Sequence, residues 1–163
     1  MAPDARGIEH WSTTAGGAYV AAGVGGGITG HGADLLIIDD PVRNREDAES
    51  ATYRDSAYEW YTSTARTRMH PGGSILLCMT RWHEDDLAGR LLKAAKQGGE
   101  QWEVLRLPAL AEPGDPLGRA NGEPLWPEWF NEAHWAPFKR NARTWSSLYQ
   151  QRPAPQEGTY FQL

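Results

Sequence analysis

The sequence predicts a three-layer α/β domain, in which a mostly parallel sheet is covered by helices on both faces. Two runs, LLIID and SILLCMT, contain aliphatic stretches that are apolar on both faces, as is typical of strands buried inside such a sheet. A segment with apolar residues at helical intervals separates these two runs, which indicates a β-α-β unit. The length of 163 residues fits one domain of this class.

The apolar runs predict four strands, at residues 18–24, 35–39, 74–80 and 102–108. The helix between the second and third strands is predicted within residues 46–69, and HPGG is predicted to end it. A second helix is predicted from about Glu84 to Lys96, with acidic residues at its N-terminal end. A long loop rich in proline and glycine follows Pro108 and leads to one short helix near Glu132 to Arg143.

Composition and charge narrow the class of protein. The formal charge is −5, which argues against a simple DNA-coating protein. Neighbouring arginines such as Arg66 and Arg68 could still form a local basic patch that binds nucleic acid. Cys78 is the only cysteine and lies in an apolar run, so we expect a buried small side chain. No stretch approaches the roughly 20 apolar residues of a membrane span, and the N-terminus lacks a secretory pattern. We therefore expect a cytoplasmic protein that is neither secreted nor membrane-embedded.

The glycine-rich stretch GVGGGITGHG precedes the second predicted strand. Gly25, Gly27 and Gly30 satisfy the dinucleotide pattern GxGxxG, but that pattern works by placing a pyrophosphate on a helix N-terminus. Here the glycines lead into the strand LLIID instead. His31 and Gly32 stand where a P-loop requires Lys followed by Ser or Thr. We therefore expect a tight connection between neighbouring strands and find no P-loop motif in the sequence.

An acid pair, Asp39 and Asp40, follows the aliphatic run LLII. These residues are predicted at the C-terminal end of a strand, where open α/β sheets bind ligands, and Pro41 blocks further strand pairing. This is the arrangement of a Walker B strand. Its first carboxylate holds the magnesium that bridges the nucleotide phosphates, and a neighbouring carboxylate orients the attacking water. Taken alone, LLIIDDP is equally well explained by a turn or by a helix cap.

The next predicted strand ends in Thr80 and Arg81. A hydroxyl and a guanidinium at that edge would sense a γ-phosphate or hold a water molecule. The alternatives are a helix cap for Thr80 and a surface ion pair for Arg81 with Glu84 or Asp85. Because the strands are expected to be parallel neighbours, we expect their ends to converge on one site.

Three consecutive acids follow His83 and open the second predicted helix. They are Glu84, Asp85 and Asp86. Such a run is compatible with metal ligands. It is more often a set of solvated carboxylates that complement the helix dipole, and this is the interpretation that we favour.

Several stretches in order resemble the large terminase subunit of tailed bacteriophages and prophages. They are GGGITGHGADLLIIDDPVRNREDAES, WYTSTARTRMHPGGSILLCMTRWHEDDLAGRL, LRLPAL, LWPEWF and WSSLYQQRPAPQEGTYF. The resemblance covers nearly the whole chain. It implies a DNA-packaging motor for virion assembly, with an N-terminal ASCE-type P-loop ATPase domain and a C-terminal nuclease domain of RNase H-like fold.

The resemblance also implies roles for individual residues. Asp39 looks like the Walker B carboxylate that binds Mg²⁺ and so contacts the nucleotide cofactor, ATP. Asp40 occupies the position of the catalytic carboxylate, which is commonly a glutamate in the family. Thr80 looks like the coupling motif that links hydrolysis to DNA movement, and Arg81 lies beside it in the predicted catalytic set.

The sequence departs from the family pattern in two ways. The P-loop strand expected upstream and the acidic nuclease cluster expected downstream are both missing. We therefore expect residues 1–145 to be the C-terminal part of an ATPase domain, and residues 146–163 to be a linker towards a missing nuclease domain. The chain alone is expected to be inactive, with an unpaired sheet edge that favours self-association. The implied partners of the complete protein are double-stranded DNA, the portal protein and the small terminase subunit, around a homo-oligomeric ring.

Two other function classes stay open at this point. A metal-dependent nuclease would use the clustered carboxylates Asp39, Asp40, Glu84, Asp85 and Asp86. A non-catalytic prophage remnant would instead bind a partner through the exposed share of the eight tryptophans.

Overall fold

A computed structural model describes residues 9–28 and 30–154, and the chain divides into two compact units. One unit comprises the described residues up to Pro41 together with Thr52–Cys78. The other comprises Val42–Ala51 and the described residues from Met79 onward. Buried apolar side chains are found in both units.

The first unit contains two small sheets. They are formed by β1 (His10–Ser12) with β2 (Ala18–Val20), and by β3 (Ala33–Asp39) with β4 (Met69–Cys78). The first pair is antiparallel and the second is parallel. The prediction that the two aliphatic runs form parallel neighbouring strands is therefore confirmed. The prediction of one mostly parallel four-stranded sheet is wrong for the described part of the chain, where each sheet has two strands.

The helical segments are shorter and more interrupted than predicted. In chain order the α-helices are α1 (Arg45–Glu49), α2 (Ala51–Trp60), α3 (Leu87–Lys96), α4 (Glu132–Trp135) and α5 (Ala142–Thr144). The π-helical turns are Tyr61–Ala65 and Trp145–Tyr149, and the 3₁₀ turns are Arg66–Arg68 and Phe138–Arg140. The segment between β3 and β4 is helical, which confirms the β-α-β unit. The predicted last helix, 132–143, is divided into three short pieces.

The HPGG stretch lies inside β4 and does not lie in a loop before it. Met69 pairs with Ala33, and the register then shifts before Leu35 pairs with Ser74. Gly72 adopts a φ of 82° within this irregularity. A bulge is one of the few places in a sheet that tolerates a proline and a left-handed glycine, which explains why the turn signal did not end the strand.

Only one face of the β3–β4 sheet is buried. Ile38 is 3% exposed, whereas Leu35 and Ile37 on the opposite face are 57% and 56% exposed. Leu76, the register partner of Ile37, is 49% exposed on that same face. The crossover segment places helix against one face of a sheet, and the expectation of helices on both faces is wrong for this unit. Cys78 shares the uncovered face and is exposed, so the prediction of a buried cysteine is also wrong.

The second unit has a core that is partly aromatic. The ring of Trp135, which is 8% exposed, lies 5.5–5.8 Å from the rings of Phe130, Trp145 and Tyr149. On α3, Leu87 and Leu91 are buried one helical turn apart, as the apolar periodicity predicted. The prediction of this helix is confirmed, although it begins at Leu87.

The predicted fourth strand, residues 102–108, is irregular. Val104 and Leu105 are 60% and 67% exposed, and the stretch has no strand assignment. Apolar composition alone does not make a strand, because a strand exists only where a partner accepts its backbone hydrogen bonds. The prediction is therefore wrong.

The proline- and glycine-rich loop after Pro108 is organised by a buried ion pair. Arg119 Nη2 lies 2.7 Å from Asp115 Oδ2, and the two side chains are 8% and 1% exposed. The same guanidinium donates hydrogen bonds to the carbonyls of Pro108 and Glu123. Hydrogen bonds from the Arg119 side chain hold the pKa of the Asp115 carboxyl below its usual value, against the opposing effect of burial. Residues 155–163 of the predicted linker lie outside the described residues.

Candidate functional site

The glycine-rich stretch forms a turn that leads into a strand. Gly25 and Gly30 adopt φ angles of 80° and 89°, and the Gly26 N–H donates to the Gly23 carbonyl at 2.7 Å. These glycines precede β3, not a helix N-terminus, which confirms that the context of a dinucleotide site is missing. The connection joins β2 to β3, which belong to different sheets, so the expectation of neighbouring strands is wrong. Thr29 lies outside the described residues.

Asp39 and Asp40 lie at the carboxyl end of β3, as predicted. Asp39 is the last residue of the strand and is the register partner of Cys78. The Asp40 N–H then donates to the Cys78 carbonyl at 2.9 Å, so the chain stays tied to β4 for one residue beyond the strand. Both aspartates are exposed. Alternation along the strand places Asp39 on the uncovered face, with Leu35 and Ile37.

The backbone of Asp40 is in an unusual conformation. Its φ angle is 44°, in the left-handed region that residues other than glycine rarely adopt. The next residue, Pro41, is buried, and its carbonyl accepts a hydrogen bond of 2.7 Å from the Tyr53 hydroxyl of α2. Strained backbone of this kind persists only where its surroundings hold it, and it is frequent at functional sites. The tyrosine therefore holds the turn that presents the acid pair.

Thr80 and Arg81 belong to the second unit. They follow β4, and Thr80 is separated from Cys78 by Met79 alone. The N-cap of α3 is Asp86, whose side chain accepts from the Gly89 N–H, so Thr80 does not cap this helix. The convergence of Thr80 with the acid pair on one site stays a prediction.

Arg81 is held by a buried carboxylate. Its Nε lies 3.0 and 2.8 Å from the two oxygens of Asp86, whose side chain is fully buried. The alternative of an exposed ion pair between Arg81 and Glu84 or Asp85 is therefore wrong. Because Asp86 also accepts from the Gly89 N–H, one carboxylate both caps α3 and fixes the arginine.

The acid run before α3 divides into three different environments. Glu84 is exposed, Asp85 pairs with Arg90 at 2.6 Å, and Asp86 is buried against Arg81. The prediction of a uniformly solvated run is therefore wrong for Asp86. Sequence spacing did not indicate its burial, because that depends on where the loop after β4 places the guanidinium of Arg81.

The acid pair has suitable chemistry for Mg²⁺. Two exposed carboxylates at a strand end supply hard oxygen ligands, and Mg²⁺ is usually bound by one or two carboxylates together with substrate phosphates. Among residues 9–28 and 30–154, no group of three or more His, Cys, Asp or Glu side chains is placed to hold a metal. The clustered carboxylates required by a two-metal nuclease are thus not found in the described part of the chain.

Sequence reasoning assigned no role to Gln151, although its side chain contacts the predicted site segment. Its Oε1 accepts a hydrogen bond of 3.0 Å from the Arg81 backbone N–H. The two residues are 70 positions apart, and no spacing rule pairs them. The only sequence signal is the place of Gln151 in WSSLYQQRPAP, just before an Arg-Pro dipeptide.

No helix in the described residues is long and apolar enough to cross a membrane.

Comparison with known proteins places the chain in a family. No curated protein matches the chain. Residues 5–163 match the family model described as terminase large subunit, T4likevirus-type, N-terminal. Because this match extends over nearly the whole sequence, the chain belongs to the T4likevirus-type terminase large subunit family, in the part that its N-terminal model describes.

Proposed function

We propose that this chain is part of the ATP-driven motor that packages viral DNA into procapsids. Asp39 is the carboxylate that holds the nucleotide-bound Mg²⁺, and Asp40 is the carboxylate that orients the attacking water. Thr80 couples the state of the nucleotide to DNA movement, and Arg81 beside it senses the γ-phosphate or holds the water. In the complete protein, double-stranded DNA, the portal protein, the small terminase subunit and further copies in a ring are the partners that this role requires.

The parallel pairing of β3 with β4 is the observation that carries this proposal. Five successive register pairs end at Asp39 and Cys78, so the acid pair and the end of β4 share one edge of the sheet. The carboxyl edge of a parallel sheet is where α/β nucleotide-binding proteins hold their ligands. The family match independently supports a role in DNA packaging.

The residues at this edge have separate tasks. A bound Mg²⁺ supplies positive charge that neutralises the β- and γ-phosphates. Asp39 is exposed at the strand end and is oriented by the register of the sheet, so it is available as a metal ligand. Asp40 is fixed by its hydrogen bond to Cys78 and by the left-handed turn, which limits where its carboxylate can hold a water molecule. Because Asp is one methylene shorter than the common Glu, that water must lie closer to the backbone.

A second candidate function rests on exposed aromatic side chains. Trp126 and Trp129 are 53% and 65% exposed in the second unit, which favours the alternative of a non-catalytic interaction module. One assay of ATP hydrolysis distinguishes the two functions. A motor hydrolyses ATP and depends on the carboxylate of Asp39 to do so, whereas a non-catalytic interaction module hydrolyses no ATP.

Substitution of Asp39 by Asn in the full-length gene product tests the proposal. We expect the loss of magnesium-dependent ATP hydrolysis with an unchanged melting temperature, because the side chain is exposed and does not support the core. Asp34→Asn is the matched control. Asp34 is also on β3, has a 91% exposed side chain, and its Oδ1 lies 2.9 Å from Nδ1 of the His70 imidazole. Wild-type turnover in Asp39→Asn would exclude the Walker B role.

A further inference from the structure

A residue with strained backbone follows the last helical turn of the second unit. Gln151 follows the π-helical turn Trp145–Tyr149 and has a φ of 57°. Glycine is the usual residue at such a position after a helix, because it has no Cβ to clash. A glutamine here costs conformational energy that glycine avoids. We therefore expect the glutamine side chain to make interactions that offset this energy and that glycine cannot make.

The side chain of Gln151 makes two hydrogen bonds that define its orientation. Oε1 accepts from the Arg81 backbone N–H at 3.0 Å, and Nε2 donates to the Leu148 carbonyl at 2.6 Å. If the amide were turned by 180°, its NH₂ group would face the Arg81 N–H and its oxygen would face the Leu148 carbonyl, and both hydrogen bonds would be lost. The network therefore fixes a single orientation, in which the side chain joins the loop after β4 to the last helical turn.

The preceding residue, Gln150, holds a second segment in the same way. Its Oε1 accepts from the Leu110 N–H at 3.0 Å, and its Nε2 donates to the Leu110 carbonyl at 3.1 Å. A backbone hydrogen bond of 2.8 Å from Ala109 to Tyr149 lies beside this pair. The two glutamines thus tie the residues after the last helical turn to two segments that are distant in sequence but belong to the same unit.

Arg81 is consequently restrained at both ends. Its guanidinium is fixed by the buried carboxylate of Asp86, and its backbone N–H is fixed by Gln151. Thr80 is the adjacent residue, so its position depends on the same restraints. The chain beyond Gln151 continues through Arg152, whose N–H donates to the Ser146 carbonyl at 2.7 Å.

We propose that Gln151 is a positioning residue that connects the Thr80–Arg81 segment mechanically to the chain beyond the helical turn. A displacement of the Thr80–Arg81 backbone is passed through this one hydrogen bond to Gln151 and then to Arg152. This inference rests on the proposed function, because it assigns Gln151 to the coupling between ATP turnover and DNA. Gln151 contacts no reacting atom in this role.

Two substitutions separate the side chain from the backbone strain. Gln151→Gly removes both hydrogen bonds and suits the left-handed backbone, so the loss of the side chain is not confounded by strain. Gln151→Glu keeps an acceptor for the Arg81 N–H but places a carboxylate oxygen against the Leu148 carbonyl. Gln101→Gly is the matched control, because the exposed Gln101 side chain also donates to two backbone carbonyls, that of Ala95 in the last turn of α3 and that of Gly99 after it.

The first measurement is amide hydrogen exchange at Arg81 in the full-length gene product. We expect Gln151→Gly to raise the exchange rate of the Arg81 amide by about tenfold, the effect of one lost hydrogen bond. Gln151→Glu and Gln101→Gly are expected to keep the wild-type rate. An unchanged rate in Gln151→Gly would overturn the inference, whatever the protein does with ATP.

The second measurement is ATP turnover with and without double-stranded DNA. We expect Gln151→Gly to lower DNA-stimulated turnover by about tenfold while the KM for ATP and the unstimulated rate stay within about twofold of wild type. Faster Arg81 exchange with normal DNA-stimulated turnover would show a purely structural hydrogen bond and overturn the positioning role. A wild-type protein without turnover would instead overturn the proposed function, and the positioning role with it.

Discussion

Arg81 and Asp86 form an ion pair in which the Arg81 Nε–H is shared by both carboxylate oxygens, at 3.0 and 2.8 Å. The carboxylate is fully buried and the arginine side chain is 19% exposed. Asp86 also accepts from the Gly89 N–H at 2.9 Å, so its removal leaves two donors without their acceptor. We expect Asp86→Ala to lower the free energy of unfolding by about 3 kcal/mol. This is the lower end of the range for removing one partner of a buried ion pair, because Arg81 keeps some access to water. Asp86→Asn keeps an oxygen for the cap and should cost less.

Urea unfolding measures this difference directly. Glu84→Ala is the control, because it removes an exposed acid from the same run and should change the free energy of unfolding by less than about 0.5 kcal/mol. Equal effects of Asp86→Ala and Glu84→Ala would contradict the structural importance of the pair.

Gly89 is a second test of the packing around this pair. In most helices Gly→Ala is stabilising by roughly 0.5–1 kcal/mol. Here a Cβ would clash with the Glu84 carbonyl oxygen and would lie 3.1 Å from Arg81 Nη2. The backbone clash outweighs the helix preference, so we expect Gly89→Ala to destabilise the protein by about 1–3 kcal/mol.

Thermal unfolding of Gly89→Ala provides the measurement. Gly27→Ala is the matched control, because a Cβ at Gly27 meets no atom of the described residues within 4 Å and its φ is not in the left-handed region. A gain in melting temperature for Gly89→Ala would show that the turn before α3 moves freely to make room.

Asp115 predicts a pH dependence of stability. The Arg119 side chain lowers the pKa of the folded carboxyl below that of the unfolded one, which is about 3.9. The folded state therefore binds fewer protons, and the pair contributes stability that is present above the unfolded pKa. That stability is lost as the pH falls through the lower, folded pKa. We expect Asp115→Asn to lower stability at neutral pH and to flatten the acid limb of the stability curve.

Urea unfolding across the acid range distinguishes this ion pair from an ordinary surface carboxylate. Glu128→Gln removes an exposed acid from the same unit and should leave the shape of the curve unchanged. An acid limb of equal slope in wild type and Asp115→Asn would exclude Asp115 as its source.

The sequence predicted those parts of the fold whose determinants are local. The aliphatic run before Asp39 and the apolar periodicity of Leu87 and Leu91 led to correct predictions of β3 and α3. The run at 102–108 is also rich in apolar residues, but it pairs with no strand in the described part of the chain, and composition carries no information about partners. The turn signal HPGG was overridden by pairing, because a bulge accommodated it within β4.

The candidate site was predictable only in part for the same reason. The position of Asp39 and Asp40 follows from where a strand ends, which the sequence marks with Pro41. The burial of Asp86 and the hydrogen bond between Gln151 and Arg81 depend on tertiary placement of segments far apart in the chain. No local pattern contains that information.

Thr80 is expected to act through its hydroxyl. The cap of α3 is supplied by Asp86, so the loss of the Thr80 hydroxyl does not remove a helix cap. We expect Thr80→Val in the full-length gene product to lower DNA-stimulated ATP turnover by roughly an order of magnitude, as for one hydrogen bond of about 1.4 kcal/mol. Affinity for ATP should change little, because the predicted role lies in coupling and not in binding.

Thr80→Ser keeps the hydroxyl and should restore DNA-stimulated turnover, which separates the hydroxyl from the shape of the side chain. Thr67→Ala is the control for a threonine with a local role, because its hydroxyl donates to the carbonyls of Ser63 and Thr64, one turn away. Parallel measurement of turnover, nucleotide affinity and melting temperature then assigns the role. A lower melting temperature of Thr80→Val with intact DNA stimulation would show that Thr80 supports the fold, because a coupling residue must alter turnover even when the protein stays fully folded.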